Sequence, residues 1–325
     1  MLDNPRVEAA RHPLDRLRPE LTLFDATMLV VSSVIGVGIF LTPGVVADAL
    51  PNPSFFLGAW VVGGILSLAG ALANAELGAM YPHAGGDYVY LREAWHPRAG
   101  FVIGWLSFFV IYAGTVATLS VGFAEGLASF VPMEAGARTA VAVAITLAVS
   151  SINHRGVRLG ALINNLTAGF KIAALVALAV AGPLVASLSA SPPTPHAVGA
   201  ATTGVTLAGF GLALSPVLFL HALPIETMRG ETRVGEAAAR VFFGDTGATL
   251  AALLILGSIA SCLNATVLVG PRIAYAMAID GLFFRAVKGV HLRYSTPHVA
   301  IWVQAATAIA LIVLLGRFPS VLNYT

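Results

Sequence analysis

The first long hydrophobic segment is interrupted by two glycines, Gly36 and Gly38, within the run Ser33-Val34-Ile35-Gly36-Val37-Gly38-Ile39-Phe40. Glycine in a helix interior costs about 1 kcal/mol relative to alanine. A helix that is broken inside a membrane must have its freed backbone groups satisfied by protein, water or a ligand. A helix that restarts at Gly38 would direct several unpaired N–H groups and the positive end of its dipole at one point. The break therefore predicts a binding site for a carboxylate.

A lysine within an apolar segment is the second candidate for chemistry. Lys171 is one of two lysines in the chain and lies in a hydrophobic run. A lysine at membrane depth costs at least about 2.5 kcal/mol on insertion, so it is a functional candidate by default. Such a lysine can gain and lose a proton. The alternative is a lysine near the start of its helix that extends to the inner membrane interface.

Other kinds of chemistry have little support. The chain lacks the G-x-S-x-G, H-E-x-x-H, P-loop and CxxC patterns, and its histidines have no ligand spacing. Its single cysteine, Cys262, lies in an apolar run and cannot form an intrachain disulfide. We therefore expect no catalytic residue, no metal site and no cofactor, and we do not expect an enzyme.

The composition is that of an all-α polytopic membrane protein. Of 325 residues, 57% are hydrophobic and 10% are charged, against about 25% charged residues in soluble domains. A span needs about 20 mainly apolar residues, and eight candidate segments lie at 23–48, 54–80, 99–131, 137–152, 160–185, 203–226, 246–279 and 297–316. The net charge of +2 comes from arginines in short loops, so the lipid bilayer is the expected partner and nucleic acid is not.

The distribution of arginines predicts the orientation of the chain, because positive charge marks cytoplasmic loops. The tail at 1–20 carries four arginines and is expected inside. Successive crossings then place the loops at 92–98 and 155–158 inside, and those at 134–138 and 186–200 outside. A short amphipathic helix is expected within 84–95, at the inner interface.

The same rule fails near the end of the chain. Arg229 and Arg233 are expected inside, and one further crossing at 246–279 would place the basic residues at 285–293 outside. Either the topology is unusual, or a crossing is missing between about Arg233 and Asp245. The charge rule alone favours the missing crossing.

The sixth hydrophobic segment is also interrupted, by Gly209, Gly211, Pro216 and Pro224. Broken segments at corresponding positions in two halves are typical of transporters built from inverted repeats, with the substrate bound at the breaks. We therefore expect a transmembrane domain over 21–325 with a first repeat at about 21–185 and a second at about 203–325.

Several motifs, in their order along the chain, resemble those of amino acid permeases in the amino acid–polyamine–organocation superfamily, which have the LeuT fold. The first is the run at 34–40 followed by Pro43-Gly44. The others are Ala75-Glu76-Leu77, 84–94, Phe170-Lys171-Ile172, Leu263-Asn264-Ala265, and Gly270-Pro271-Arg272 with the run at 278–281. The resemblance covers about residues 21–316.

This resemblance implies uptake or exchange of amino acids by alternating access, coupled to protons and independent of sodium, in the inner (plasma) membrane. Backbone N–H groups at the first break would hold the substrate carboxylate, and carbonyls at both breaks would hold its amine. Lys171 would take the place of a sodium ion and pair with carbonyls near Ile35 and Gly36, or with Ser261 and Asn264. The implied substrate-binding positions are Ile35, Gly36, Val37, Gly38, Ile39, Phe219 and His221.

The chain departs from the family pattern in its second repeat. Phe219 and His221 replace an aromatic and glycine-rich break, and His221 is either a polar group at the site or a packing residue. The region expected for helix 7 is missing between 233 and 234, and the C-terminal helices beyond 325 are absent, so the second repeat is expected to be incomplete. The alternative function is therefore that of a non-transporting remnant or fragment that acts only as a membrane-embedded partner.

Overall fold

The computed structural model describes residues 17, 20–36, 38–188, 219–220, 222–229, 231 and 234–315, with side chains from 178 to 188 and from 39 to 41 left out. The helices are α1 Leu23–Val34, α2 Gly38–Ala49, α3 Pro53–Met80, α4 Asp87–Ala94, α5 Pro97–Ala128, α6 Ala135–His154 and α7 Val157–Leu188. They continue with α8 Ile225–Met228, α9 Val234–Val269, α10 Pro271–Ile279, a 3-10 turn Arg285–Lys288 and α11 His298–Leu315. Most of the expected loop at 186–200 and most of the sixth hydrophobic segment lie outside the described residues.

Six helical stretches among the described residues are long and apolar enough to cross a membrane. They are α3, α5, α6, α7 up to Ala177, α9 together with α10, and α11. Backbone groups in lipid must be paired within the segment itself, and a helix pairs them all. The predicted all-α, multi-pass membrane fold is confirmed, and the boundaries predicted for these segments agree with the helices, except that α9 begins earlier than expected.

The chain divides into two compact units. The first comprises Met1–Val34, Ala75–Ala168 and Ile259–Thr325, and the second comprises Ile35–Asn74 and Gly169–Ser258. The hydrophobic core of the first unit has two main clusters. One joins α5, α6 and α11 to the second half of α9 through residues such as Val116, Val149, Leu263 and Ile312.

The other main cluster of the first unit surrounds the expected amphipathic helix, which forms as α4. Tyr88 and Val89 on α4 are buried with Phe108 of α5 and with most of α10, including Tyr275 and Met277. The buried face of α4 explains why a short segment that contains aspartate, arginine and glutamate is helical beside apolar spans: its aromatic face packs inward and its charges remain accessible.

Two contacts place three loops at the same end of the first unit. Arg92 of α4 forms an ion pair with Asp280, just after α10. The hydroxyl of Thr296, just before α11, donates to the carbonyl of His154 at the end of α6 over 3.0 Å. The loops near residues 92, 155 and 285–293 therefore share one side, which is the inner side by the positive-inside rule.

The second unit has its own core, in which α2, the start of α3, α8 and the start of α9 meet. Its buried members include Ala47, Phe56, Phe219, Met228 and Phe242. Arg229 Nε lies 3.7 Å from Asp48 Oδ1 near the end of α2. On the expected topology Asp48 lies at the outer end of the first segment, so this ion pair disagrees with the internal position that charge predicted for Arg229.

Residues 234–269 form one helical stretch with a kink at Gly244, whose φ of 67° and ψ of −159° suit only glycine. The sequence predicts that a crossing is missing from the chain between about Arg233 and Asp245. Residues 234–245 belong to this helical stretch, and the missing crossing remains a prediction.

Candidate functional site

The predicted break in the first segment is present. Helix α1 ends at Val34, and α2 begins at Gly38. Between them Ile35 and Gly36 form a bend. The first N–H groups of a helix have no partner within it, so α2 presents free donors from Gly38 onward. The backbone thus has the form that the carboxylate prediction requires, while carboxylate binding itself remains a proposal.

The Ile35 carbonyl in this break is held by a lysine. Lys171 on α7 donates from Nζ to the Ile35 carbonyl oxygen over 2.6 Å. The hydroxyl of Ser258 on α9 approaches the same oxygen at 3.4 Å, a longer and weaker bond. All three residues belong to the second unit. Of the partners predicted for Lys171, the structure therefore shows the Ile35 carbonyl.

Burial gives this contact its importance. Lys171 is 4% exposed, so its side chain does not extend to the membrane interface as the alternative interpretation required. Removing an ammonium from water costs several kcal/mol, unless hydrogen bonds and opposite partial charges compensate. A backbone carbonyl freed by the break supplies such a partner, because the helical ladder that would otherwise use it is interrupted. The lysine and the break thus stabilise one another.

The remaining predicted substrate positions are only partly described. Val37 and His221 lie outside the described residues, and only the backbone of Ile39 is described. Phe219 is 1% exposed and belongs to the hydrophobic cluster that contains Ala47 and Phe56. In this structure Phe219 is thus a core residue of the second unit. Its predicted part in substrate binding remains a proposal.

The two other predicted coupling residues, Ser261 and Asn264, belong to a polar network in the first unit. Ser261 shares a very short hydrogen bond with Ser32 of α1 and accepts one from Thr167 of α7 over 2.9 Å. Asn264 accepts from the Asn153 amide over 2.8 Å. It also donates to the carbonyl of Gly160 over 2.8 Å. This network links four helices of the first unit through buried polar groups.

Sequence reasoning missed Ser258, Ser32, Thr167 and Asn153. Ser258, Ser261 and Asn264 are spaced three residues apart in an apolar helix, and residues three or four apart share a helix face. That spacing is a signal that Ser258 accompanies the two predicted residues. No comparable pattern marks Ser32, Thr167 or Asn153. Each can be identified only from its hydrogen-bond partner, which the fold brings close from a distant part of the sequence.

A second polar cluster, at the inner end of the first unit, involves the α4 helix. The Tyr88 hydroxyl donates to Asp280 Oδ2 over 2.5 Å, beside the Arg92–Asp280 ion pair. Burial, followed by the interaction with Asp280, raises the pKa of Tyr88 to about 12. Burial opposes the charge of Arg92, but its bonds with Tyr88 and Asp280 outweigh this and raise its pKa. Tyr88 therefore remains a donor, and Arg92 a cation, at any physiological pH.

A cavity of about 270 Å³ in the second unit lies between α2 and α3. Its wall includes Thr42, Val46, Trp60 and Gly63, and it carries no charged side chain. Thr42 is one helical turn beyond Gly38. The cavity therefore begins next to the break but contributes no group at the position expected for a carboxylate.

Comparison with known proteins identifies a family. The family model described as "Amino acid permease" matches residues 21–213 and 196–325. These two ranges together include every helix described above. The matched region contains the break, Lys171 and the polar residues of α9.

Three curated relatives are similar to this chain. The "Serine/threonine exchanger SteT" of Bacillus subtilis (strain 168) is 27% identical over 94% of this chain and 79% of its own length. The human "b(0,+)-type amino acid transporter 1" is 29% identical over 55% of the chain, and the mouse "Large neutral amino acids transporter small subunit 2" is 30% identical over 51%. The chain spans only 38% and 32% of those two mammalian proteins. By name, one of the three is an exchanger and two are transporters.

Proposed function

Since this chain belongs to the amino acid permease family, we propose that it transports amino acids across the membrane by alternating access. The substrate carboxylate binds the N–H groups at the break between α1 and α2, around Gly36 and Gly38. Carbonyls at this break and at the break of the sixth segment hold the substrate amine. The transport domain contains a first repeat at about 21–185 and an incomplete, inverted second repeat at about 203–325.

The observation that carries this proposal is the Lys171–Ile35 hydrogen bond of 2.6 Å. A glycine break that served only for helix packing would not need a buried ammonium on its carbonyl. Loss of a proton from Lys171 would release Ile35, and gain of a proton would restore the bond, so the lysine couples the shape of the break to proton transfer. Since the ammonium occupies a cation position at the break, transport is independent of sodium. The cycle is completed by a proton or by a second amino acid in exchange.

The test is ligand-dependent stabilisation of the detergent-purified chain. A ligand that binds only the native state stabilises it by about 2.7 kcal/mol at a concentration 100 times its dissociation constant. The screen measures the melting temperature with single L-amino acids. Serine and threonine come first, because the Bacillus subtilis protein similar to 94% of this chain is named a serine/threonine exchanger.

Two variants locate the site. Gly38→Leu places a bulky side chain at the start of α2 and should abolish the ligand-dependent shift while the protein still unfolds cooperatively. Gly70→Leu, on α3, is the control, because a side chain there enters open space, and its ligand-dependent shift should equal that of the wild type. A wild-type chain that unfolds cooperatively but responds to no amino acid would contradict the proposal and favour a non-transporting membrane partner.

A further inference from the structure

Three histidines, which were scattered in the sequence, meet at the inner end of the first unit. They are His154 at the end of α6, His291 in the loop before α11, and His298 at the start of α11. Their ring centroids are 5.2 Å apart for His154 and His291, 5.4 Å for His291 and His298, and 5.9 Å for His154 and His298. No group of three or more potential ligands in the described part of the chain is arranged to hold a metal ion, which leaves the proton as the ligand to consider.

Hydrogen bonds define the protonation state of two of these rings. His291 Nδ1 accepts from the backbone N–H groups of Arg293 and Tyr294, over 3.2 and 3.3 Å. His154 Nδ1 accepts from the indole N–H of Trp302 over 3.2 Å. A ring nitrogen that accepts a hydrogen bond carries no proton. Both histidines are therefore neutral in this arrangement, and a proton added at Nδ1 of either would replace an acceptor with a donor and break these bonds.

The bonds of His291 hold a strained loop. His291 N–H donates to the Thr296 carbonyl, and Ser295 N–H donates to the His291 carbonyl, each over 2.9 Å. Ser295 has a φ of 50°, in the left-handed region that disfavours residues other than glycine. Such a conformation persists only where the surrounding contacts enforce it. Of the bonds that close the loop, the two from the Arg293 and Tyr294 N–H groups depend on an unprotonated His291 Nδ1.

The surroundings oppose added positive charge. Arg155 follows His154 and acts on it electrostatically, and the Arg293 guanidinium lies 5.5 Å from the ring centre of Tyr294, which stacks on His291. Arg285 and Lys288 lie on the 3-10 turn that packs against α11. His298 Nδ1 is buried without a hydrogen-bond partner among the described residues. A proton on one ring would disfavour a second proton on either of the others, and it would repel the nearby cations.

We propose that His154, His291 and His298 form a proton-sensitive switch that holds residues 289–297 closed while the three rings are neutral and releases the loop when His291 binds a proton. The ligand is a proton from the inner side of the membrane. The loop joins α10 to α11, so its release frees the connection between two core helices of the first unit. This switch does not depend on amino acid transport by the chain.

Hydrogen exchange of the purified full chain tests the switch directly. Protection factors of the amides in 289–297 are measured at about pH 5.5 and about pH 7.5, within the range over which histidine side chains change charge. Acidification should lower protection of the Arg293 and Tyr294 amides about fivefold, the effect of losing one hydrogen bond of average strength. Equal protection at the two pH values, or a loss spread evenly over all helix ends, would overturn the proposal.

A pair of matched variants separates the switch from a general effect of acid. His291→Asn keeps a side-chain acceptor for the N–H two residues ahead but does not titrate, so protection of its loop should become independent of pH. The control is His96→Asn, since His96 Nδ1 also accepts from the N–H two residues ahead, over 3.1 Å, at the start of α5. His96→Asn should leave the acid-induced loss in 289–297 unchanged. If acid still lowers the protection of the loop in His291→Asn, the proposed role of His291 is wrong. If either variant does not fold, the comparison of the wild type at the two pH values tests the proposal by itself.

Discussion

Lys171 combines three properties at the level of the single residue: a positive charge, nearly complete burial, and a backbone carbonyl as partner. A buried cation is costly, so a fold tolerates it only where local partners compensate. Its partner lies in the break of the first segment, where glycine flexibility has already freed backbone groups. The same two features that destabilise an ordinary membrane helix, a charge and a break, therefore stabilise one another here.

The first prediction concerns the charge of Lys171. Lys171→Met keeps the length of the side chain but removes the donor to Ile35, so the native state should lose about 1–3 kcal/mol. Uptake driven by a pH gradient should disappear, whereas the stabilisation by a bound amino acid should remain. The measurement compares reconstituted uptake, with and without an imposed pH gradient, with the melting temperature of the same sample.

The second lysine of the chain provides the control for this experiment. Lys288 is exposed, and Lys288→Met removes the same charge without touching the break. Lys288→Met should leave the response of uptake to the pH gradient unchanged. A Lys171→Met protein whose uptake still followed the pH gradient would show that Lys171 only stabilises the break.

At the level of helices, the second unit depends on a close approach between α2 and the residues after α8. A side chain on Gly44 would overlap the Glu231 carbonyl oxygen and come within 3.2 Å of the Met228 carbonyl oxygen. Neither obstacle is a flexible side chain, so the backbone itself would have to move. Glycine at position 44 is thus required by a contact with a segment almost 200 residues away in sequence.

Gly44→Ala should therefore destabilise the protein, by about 1–3 kcal/mol, as expected for overpacking. The matched control is Gly58→Ala on α3, where an added Cβ meets nothing within 4 Å. That exchange should be neutral or stabilise the helix by up to about 1 kcal/mol. The measurement is the melting temperature of both variants in the same detergent. Equal melting temperatures would mean that α2 and the Glu231 segment are not in contact.

Helices that could be predicted from sequence are those whose signal is local. Hydropathy alone located α3, α5, α6, α7 and α11, and the two glycines predicted the restart at Gly38. The contact of Gly44 with Glu231, the pairing of Ser32 with Ser261 and the meeting of three histidines could not be predicted, because each depends on segments distant in sequence. For Arg229, the sign of its charge predicts a side of the membrane, whereas its ion pair with Asp48, 181 residues earlier, could not be predicted from sequence.

For the molecule as a whole, the two ion pairs and the Thr296–His154 hydrogen bond define the topology. They place residues 92, 155 and 292 at one end of the first unit, and they place Arg229 beside the end of α2 in the second. With these loops on the inner side, the first unit satisfies the positive-inside rule.

Labelling of single introduced cysteines with a reagent that cannot cross the membrane tests this topology. Arg155→Cys and Leu292→Cys should react from the same side, opposite to Val131→Cys, because α5 separates Val131 from the α4 end of the first unit. In the second unit, Thr227→Cys should react from the same side as Ala49→Cys. The wild-type protein gives the background labelling, which should be low because its single cysteine, Cys262, is only 7% exposed and is buried among helices. Labelling of Thr227→Cys from the side opposite to Ala49→Cys would show that the Arg229–Asp48 ion pair does not form and would support the internal position predicted from charge.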